Sequence, residues 1–300
     1  VSEAGDGAAP DVLVLGAGGW HWDRLRAAIE REGLGVGRLS FTSCSFSIGE
    51  TGSGILLGSL IGLPRAVLVR FIPAGTLEQI TFRLAILHAL EAAGVLVLNP
   101  PRAIERCVDK GATSFLLARA GVPTPPTWVV DHPDLADAIA QRETQAGYAL
   151  VLKPLFGAQG KGLRLLTPAA DLPGPEEVNG IWYLQRYVGA TSGWRDYRVL
   201  VVEGEPIAAM ARHGRQWITN IRQGGRPERV SAEGELGRLA VAAAEAVGCA
   251  HAGVDLIEDQ RGRLTVLEVN SMPAWRGLQS VAEIDIAGRM AARIATRLRR

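Results

Sequence analysis

The stretch that decides the fold is GVDLIEDQRGRLTVLEVN, residues 253–270. Two apolar runs flank a polar centre, DQRG at 259–262, so the segment reads as a β-hairpin turning between Asp259 and Gly262. Folding about Gln260 and Arg261 sets Asp255 opposite Val266. Side chains alternate faces along a strand, so Val266, Glu268 and Asn270 share a face, and Asp255 shares it with them. Two carboxylates and an amide oxygen then converge among Val, Leu and Ile. Burying two carboxylates together is costly unless a cation lies between them. All-oxygen donors of this kind suit Mg²⁺, which takes one or two carboxylates and completes its shell with phosphates and water. On this hairpin alone, an ordinary solvated turn carrying acidic residues stays open as the alternative.

A second stretch bears on the same question. In VLKPLFGAQGKGLRLL, residues 151–166, an apolar strand ends at Lys153, a glycine-rich loop carries Lys161, and another apolar strand follows. Walker A requires Ser or Thr after Gly-Lys, and Gly162 stands there instead. The loop joins strand to strand, so it reads as a β-hairpin flap whose N–H groups can close over phosphate. By itself it fits an exposed hairpin as well as a nucleotide lid.

Outward from these segments the texture divides the chain. Residues 1–99 alternate strand and helix patterns: DVLVL, a helix stopped by Gly33, RAVLVRFI, a helix from Thr76 to Gly94 opened by a Thr76/Gln79 capping box, and VLVL. That order implies a parallel sheet covered by helices. Residues 100–188 carry proline punctuation around a helix between Pro101 and Pro123, a helix at 133–147, and strands at 148–154, 161–166 and 181–188. Residues 189–300 add RDYRVLVVEGEPIAAMARH as two strands, a helix at 235–248, the hairpin, and a basic helix from about 285 to 300. The fold class is therefore α/β followed by α+β with mainly antiparallel strands.

Composition bounds the function. A formal net charge of +1 over 300 residues excludes a general polyanion binder, so any basic site is local. Cys44, Cys107 and Cys249 are far apart in sequence with no C-x-x-C pair, which suggests neither a disulfide framework nor a zinc knuckle. A reducing cytoplasm fits, no nucleic-acid partner is implied, and no membrane span is expected. The nearest apolar run, 52–64, is too short and too rich in glycine. GAGG at 16–19 follows a strand and opens a helix, but His21 breaks the dinucleotide fingerprint G-x-G-x-x-G. This disfavours an oxidoreductase. The five histidines show no ligand spacing. Trp20, Trp22, Trp194 and Trp275 lie beside glycines in loops and are candidates for lining a ring pocket.

In order along the chain, the lysine-flanked flap, YLQRYV, DYRVLVV…AAMAR, WITNIRQGG and LEVNSMPAW resemble the ATP-grasp superfamily, and within it the RimK-type amino-acid ligases. The resemblance covers nearly the whole chain. It implies an ATP-grasp fold with an N-terminal Rossmann-like domain at 1–99, a central lid domain at 100–188, and a C-terminal domain with the metal site at 189–300. It implies ATP and Mg²⁺, with Mn²⁺ as a substitute. Lys110 and Lys153 would contact phosphates beneath a flap of Gly157, Gln159, Gly160, Lys161 and Gly162. Gln185, Arg186, Tyr187 and Val188 would form the adenine hinge. Asp196 would bind nucleotide, Arg198 would hold the acyl phosphate or a substrate carboxylate, and Arg212 and Asn220 would reach phosphates and metal. Lys153, Arg198 and Arg212 are thus the catalytic candidates, and Asp255, Glu268 and Asn270 the metal ligands.

The chain departs from the family pattern at Arg186, where Glu is usual, at Ile218, where Arg often precedes the T/S-N pair, and at Ala274, where Gly follows the proline. The implied activity is ATP-dependent amide formation, adding an amino acid, glutamate by resemblance, to a carboxylate acceptor. The stretch at 69–105 looks most like ligases acting on pterin- or furan-type C1-carrier cofactors. A ligase acting on a protein or carrier-protein carboxylate, and a non-catalytic nucleotide-binding regulator, are the alternatives. Homo-oligomerisation is left open.

Overall fold

A computed structural model describes residues 7–49, 52–157, 162–166, 172–189, 193–221 and 224–300. The flap positions Gln159, Gly160 and Lys161 lie outside the described residues.

The first sheet is parallel, with β1 (Val12–Leu15), β2 (Val36–Leu39), β5 (Ala66–Val69) and β6 (Leu96–Leu98) ordered β2-β1-β5-β6. The central strands β1 and β5 are apolar on both sides because both faces are covered, whereas the edge strand β2 carries Gly37 and Arg38. Val12, Val14, Ala66 and Leu68 pack with α1 (Trp20–Arg31), whereas Leu13, Leu15, Val67 and Val69 pack with α2 (Leu77–Ala92). The two helices therefore lie on opposite faces, and the winding reverses between β1 and β5. Thr76 caps α2 and Gln79 completes the capping box. A hairpin absent from the sequence expectations, β3 (Cys44–Gly49) with β4 (Gly52–Leu57), connects β2 to β5.

Where a single helix was expected between Pro101 and Pro123, there are two, α3 (Pro101–Val108) and α4 (Lys110–Arg119). Asp109 has an extended backbone, and its carboxylate accepts from the N–H groups of Gly111 and Ala112, so it ends one helix and caps the next. Lys110 is thereby fixed at the first position of α4. The second sheet is ordered β7-β10-β8-β9, from β7 (Thr127–Val130), β8 (Leu150–Lys153), β9 (Arg164–Leu166) and β10 (Trp182–Arg186). It is covered by α5 (Pro133–Gln145).

The third sheet is antiparallel, ordered β13-β12-β11-β14-β15, from β11 (Arg195–Val202), β12 (Glu205–His213), β13 (Arg226–Val230), β14 (His251–Glu258) and β15 (Leu264–Asn270). One face, with Val199, Val201, Val254, Leu256 and Val266, is sealed by α6 (Gly234–Val247). On the other face Leu200, Val202, Ala208 and Met210 join one core with α1, Trp275 and α7 (Ile286–Leu298). The final helix thus packs against the first sheet's helix. Its arginines are not simply solvated: Arg293 pairs with Glu205 and Arg297 with Glu203. Asn99, buried at the end of β6, ties the first sheet to the third by donating to the carbonyls of His251 and Ser271 and accepting from the N–H of His251. Cys107 and Cys249, remote in sequence, are neighbours here, with their sulfurs 3.5 Å apart as free thiols. Among the described residues no helix is long and apolar enough to cross a membrane.

The decisive hairpin forms, but its register differs from the expected one. Asp255 faces Glu268, and Leu256 faces Val266. The loop has three residues, because Gly262 adopts a left-handed conformation (φ 77°) and the Asp259 N–H bonds the Arg263 carbonyl. That shifts the pairing by one. A bulge at Leu267 shifts it by one again. Val266 consequently turns into the core with Leu256, not toward Asp255, while Glu268 and Asn270 keep the face of Asp255.

Candidate active site

The site is built on one face of the third sheet. Cross-strand partners share a face, so the pairs Asp196↔Arg212, Arg198↔Asp255, Asp255↔Glu268 and Gly253↔Asn270 place all seven residues on the same side. This side opens to a cavity that Asp196, Arg212, Asp255, Glu268, Ile257 and Leu267 line from below. The second sheet contributes Lys153, Gln185, Arg186, Tyr187 and Val188, and Lys110, Gly157 and Asn220 complete the wall. Fifteen described positions singled out from the sequence are Lys110, Lys153, Gly157, Gly162, Gln185, Arg186, Tyr187, Val188, Asp196, Arg198, Arg212, Asn220, Asp255, Glu268 and Asn270. All but Gly162, Arg198 and Asn270 line that cavity directly; Arg198 and Asn270 lie on the same sheet face, and Gly162 lies at the far end of the flap.

The charges are ordered. Asp255 is buried and takes two guanidinium groups: Arg198 Nε at 2.5 Å, with a second bond from its Nη2, and Arg212 Nη2 at 3.1 Å. Arg212 also bonds Asp196 through Nε at 2.7 Å. Burial pushes the Asp255 carboxyl up, but Arg198 and Arg212 outweigh it and hold the group below the usual range. Burial dominates at Asp196, which is raised although Arg212 opposes the shift. Arg212 therefore serves two carboxylates of unequal acidity.

Glu268 makes no hydrogen bond or ion pair with a described residue. It lies in the field of Lys110 and Lys153, raising the affinity of both for protons. Burial works the other way and brings Lys153 down to about 8. The Lys153 ammonium donates to Gln185 Oε1 at 2.6 Å, and Gln185 is oriented in turn by donating to Thr127 Oγ1 and the Tyr183 hydroxyl. Lys110 Nζ donates to the Gly157 carbonyl at 2.8 Å, which ties the start of α4 to the base of the flap. At the other end of the flap Gly162 has φ 72°, and a Cβ there would come 2.8 Å from Pro154 Cγ, so only glycine fits.

Two expectations change in detail. Arg186 lines the cavity, yet its side chain turns into the second sheet. Nε bonds Glu143 at 2.6 Å, and the guanidinium stacks 3.7 Å from the Tyr148 ring centroid. Its replacement of the usual Glu is thus a packing feature of α5. In the hinge, the N–H groups of Arg186 and Tyr187 bond the carbonyls of Pro126 and Ala149, whereas that of Val188 has no partner among the described residues. Trp217, Ile257 and Leu267 form apolar walls that sequence reading did not single out. An apolar side chain over a cavity carries the same signal as one in a core.

Asp255 and Glu268, directly opposed and lining one cavity, fit a hard divalent cation, and Asn270 supplies an amide on the same face. Among the described residues no cluster of three or more His, Cys, Asp or Glu side chains is poised for metal. Two carboxylates and an amide on one face would leave the rest of such a cation's shell to ligand oxygens.

Three comparisons place this architecture. The RimK-like ATP-grasp domain model matches residues 107–294. The tetrahydromethanopterin:alpha-L-glutamate ligase of Methanococcus maripaludis is 38% identical over 200 residues, covering 64% of this chain and 67% of that protein. The ligase of the same name from Methanocaldococcus jannaschii is 38% identical over 207 residues, covering 66% and 69%. Among solved structures, the ATP-grasp ligase PsnB complexed with its minimal precursor superposes with a TM-score of 0.74 at 24% identity, over 96% of this chain and 99% of that one. At that identity the likeness concerns the fold.

Proposed function

Because this chain belongs to the RimK-like ATP-grasp family and is a carboxylate–amine ligase, we propose that it uses ATP and Mg²⁺ to add L-glutamate to a carboxylate of a pterin-type C1-carrier cofactor. The observation that carries the reading is the convergence on one cavity of an opposed Asp255–Glu268 pair with Lys110, Lys153 and Arg212, and with Arg198 bonded to Asp255.

Amide formation from a free carboxylate and an amine is uphill in water. Phosphorylating the carboxylate first makes it favourable: the acceptor carboxylate attacks the γ-phosphorus, ADP leaves, and the amine then displaces phosphate from the acyl phosphate. No protein nucleophile is needed, and the chain's part is positioning and charge neutralisation. Asp255 and Glu268 would hold Mg²⁺ with Asn270, which supplies charge neutralisation at the phosphates. Lys153, held by Gln185, and Lys110 face the phosphate region. The unpaired N–H of Val188 and the walls of Trp217, Ile257 and Leu267 suit a purine base. Arg198 has the fork geometry to grip a carboxylate or acyl phosphate by two parallel bonds. In this reading residues 100–188 act as the lid, and the flap excludes water that would hydrolyse the acyl phosphate.

The test is ADP release by the purified chain with Mg²⁺–ATP, L-glutamate and tetrahydromethanopterin or a precursor carrying its terminal carboxylate, followed by mass spectrometry of the cofactor. A product heavier by one or more glutamyl units supports the reading. Glutamate-independent ATP hydrolysis, or no change in cofactor mass across a panel of amino acids, overturns it.

A further inference from the structure

The winding reverses between β1 and β5, and in open α/β sheets the carboxyl ends of strands at such a reversal are the place that receives ligands. Gly16 ends β1 there and Arg70 follows β5. The backbones run so close that a Cβ on Gly16, at φ 154°, would sit 3.2 Å from Arg70 Cβ. Among the described residues Arg70 has one hydrogen bond, from Nη2 to the Pro273 carbonyl at 2.6 Å, and no carboxylate pairs with it. Its Nε is sealed from solvent with no partner among them. Burial lowers its pKa to about 10, as befits a guanidinium that has lost water and gained no counter-ion.

Other unsatisfied groups line the same seam. Trp275 Nε1 and His251 Nε2 are buried without partners among the described residues. Buried polar atoms are nearly always bonded, so orphans gathered in one place point to a missing polar ligand. His21 does not fill that role: its Nε2 accepts from the Trp275 N–H at 3.1 Å, and burial, helped by Arg70 and Arg276, brings its pKa to about 4, so it is neutral. The N-terminus of α1 faces this region with no side-chain cap, and Arg276 lies over the Trp20 ring. The charged groups at the seam are thus Arg70 and Arg276, with Arg38 beside Gly18, Arg24 over the same Trp20 ring, Arg297 acting on His251, and the exposed Asp23 on the first turn of α1.

The seam continues into the reaction centre. Pro273, whose carbonyl takes the Arg70 bond, packs over Gly253. A Cβ at that glycine would lie 2.8 Å from Pro273 Cβ and 3.6 Å from Arg198 Cδ. Gly253 sits between Asp255 and His251 on the sheet face that carries the site. A substrate held by Arg198 therefore has one residue's span of backbone between it and Arg70.

We propose that the crevice between Gly16–Trp20 and the Pro273–Arg276 turn binds a second carboxylate of a substrate, remote from the carboxylate that is activated, with Arg70 as its counter-ion. The inference rests on the ligase reading and narrows its substrates to those that present a further carboxylate at this reach. That group belongs to the incoming amino acid or to the acceptor.

The test uses the full chain with Mg²⁺ and a non-hydrolysable ATP analogue, titrated with glutarate and with L-glutamate by calorimetry and by the fluorescence of Trp20 and Trp275. Wild type binds at least one of them saturably. Arg70→Gln weakens that binding roughly tenfold or more, as expected for a charge-assisted bond, with nucleotide affinity unchanged within twofold. Arg70→Lys, which keeps the charge, recovers part of the loss, and thermal melts of both variants establish that they are folded. In turnover, a raised KM for the amino acid with kcat preserved assigns the carboxylate to the amine, and a raised KM for the acceptor assigns it to the acceptor. Equal dicarboxylate binding by wild type and Arg70→Gln, or no saturable binding by wild type, overturns the proposal. The titration needs no turnover, so failure of the ligase assay is read separately.

Discussion

Arg198→Lys separates the charge at this position from its shape. Arg198 gives Asp255 two hydrogen bonds, and its side chain is 13% exposed. A lysine supplies one donor to one oxygen and keeps the positive charge. Asp255 retains Arg212 at 3.1 Å, so the variant loses about one charge-assisted hydrogen bond. That costs about 1.5–3 kcal/mol. At roughly 2–4 °C per kcal/mol, the melting temperature falls by several degrees and the protein stays folded at 25 °C. Turnover responds far more, if Arg198 holds the reacting carboxylate through both nitrogens. Losing a donor aimed at the developing charge slows such reactions by about 10²–10³. Nucleotide affinity, which rests on Lys110, Lys153 and the hinge, should change less than threefold. The assays are a thermal melt, calorimetric titration of a non-hydrolysable ATP analogue, and steady-state ADP release. Turnover within threefold of wild type, or parallel losses of affinity and rate, would refute the assignment of Arg198 to the reacting carboxylate.

Glu268→Gln should leave the melting temperature nearly unchanged, because Glu268 has no ion pair to lose, while raising the Mg²⁺ requirement and cutting turnover by orders of magnitude. A Mg²⁺ titration at fixed ATP checks both, and wild-type Mg²⁺ dependence would sink the metal assignment. Lys153, with a pKa near 8 set by burial, loses its proton as pH rises past 8 in the free protein, whereas triphosphate favours the ammonium. Nucleotide affinity should therefore fall between pH 7 and 9.5, and binding at pH 8.5 should take up a proton, seen as a calorimetric enthalpy that varies with the buffer's ionisation enthalpy. Stability runs the other way. The cost of burying the ammonium is full below pH 8 and is relieved as pH climbs from 8 toward the unfolded value of about 10.4. Arg186→Glu, although it restores the residue usual in the family, sets a carboxylate against the buried Glu143 and should destabilise the lid sheet, lowering the melting temperature more than Arg186→Ala does. Equal melting temperatures for the two variants would show that the Arg186–Glu143 pair is not what fixes this side chain.

Much of this architecture was legible because its signals are local. The Thr76/Gln79 capping box, the Gly33 and Gly94 stops and the apolar runs of the parallel sheet each follow from a few adjacent residues. The splitting of the helix expected between Pro101 and Pro123 into two was less visible, since Asp109 is an acceptable helix residue until its side chain is seen capping Gly111 and Ala112. Arg186 and Arg70 were opaque for a different reason. Their partners, Glu143 and Pro273, are distant in sequence, and no spacing rule relates them.

The hairpin shows how a correct grouping can come from an incorrect register. A two-residue turn puts Asp255 on the same face as Glu268 by simple alternation. The actual three-residue turn, permitted by the left-handed Gly262, moves every partner by one and by itself would carry Glu268 to the opposite face, into the core beside Val254 and Leu256. The extra residue Leu267 reverses that shift before the strand reaches Glu268. Its insertion also frees Val266 to fill the core and to bond the Pro123 carbonyl through its N–H. Leu267 itself is left to line the cavity. A bulge beside a functional residue commonly re-aims a side chain, and here it re-aims two of them, Glu268 and Asn270. The loop and the bulge are therefore coupled: a two-residue turn pairing Asp259 with Gly262, with the bulge kept, would set Glu268 opposite Val254 and send both donors away from Asp255, while the same turn with Leu267 taken into regular pairing would bring them back.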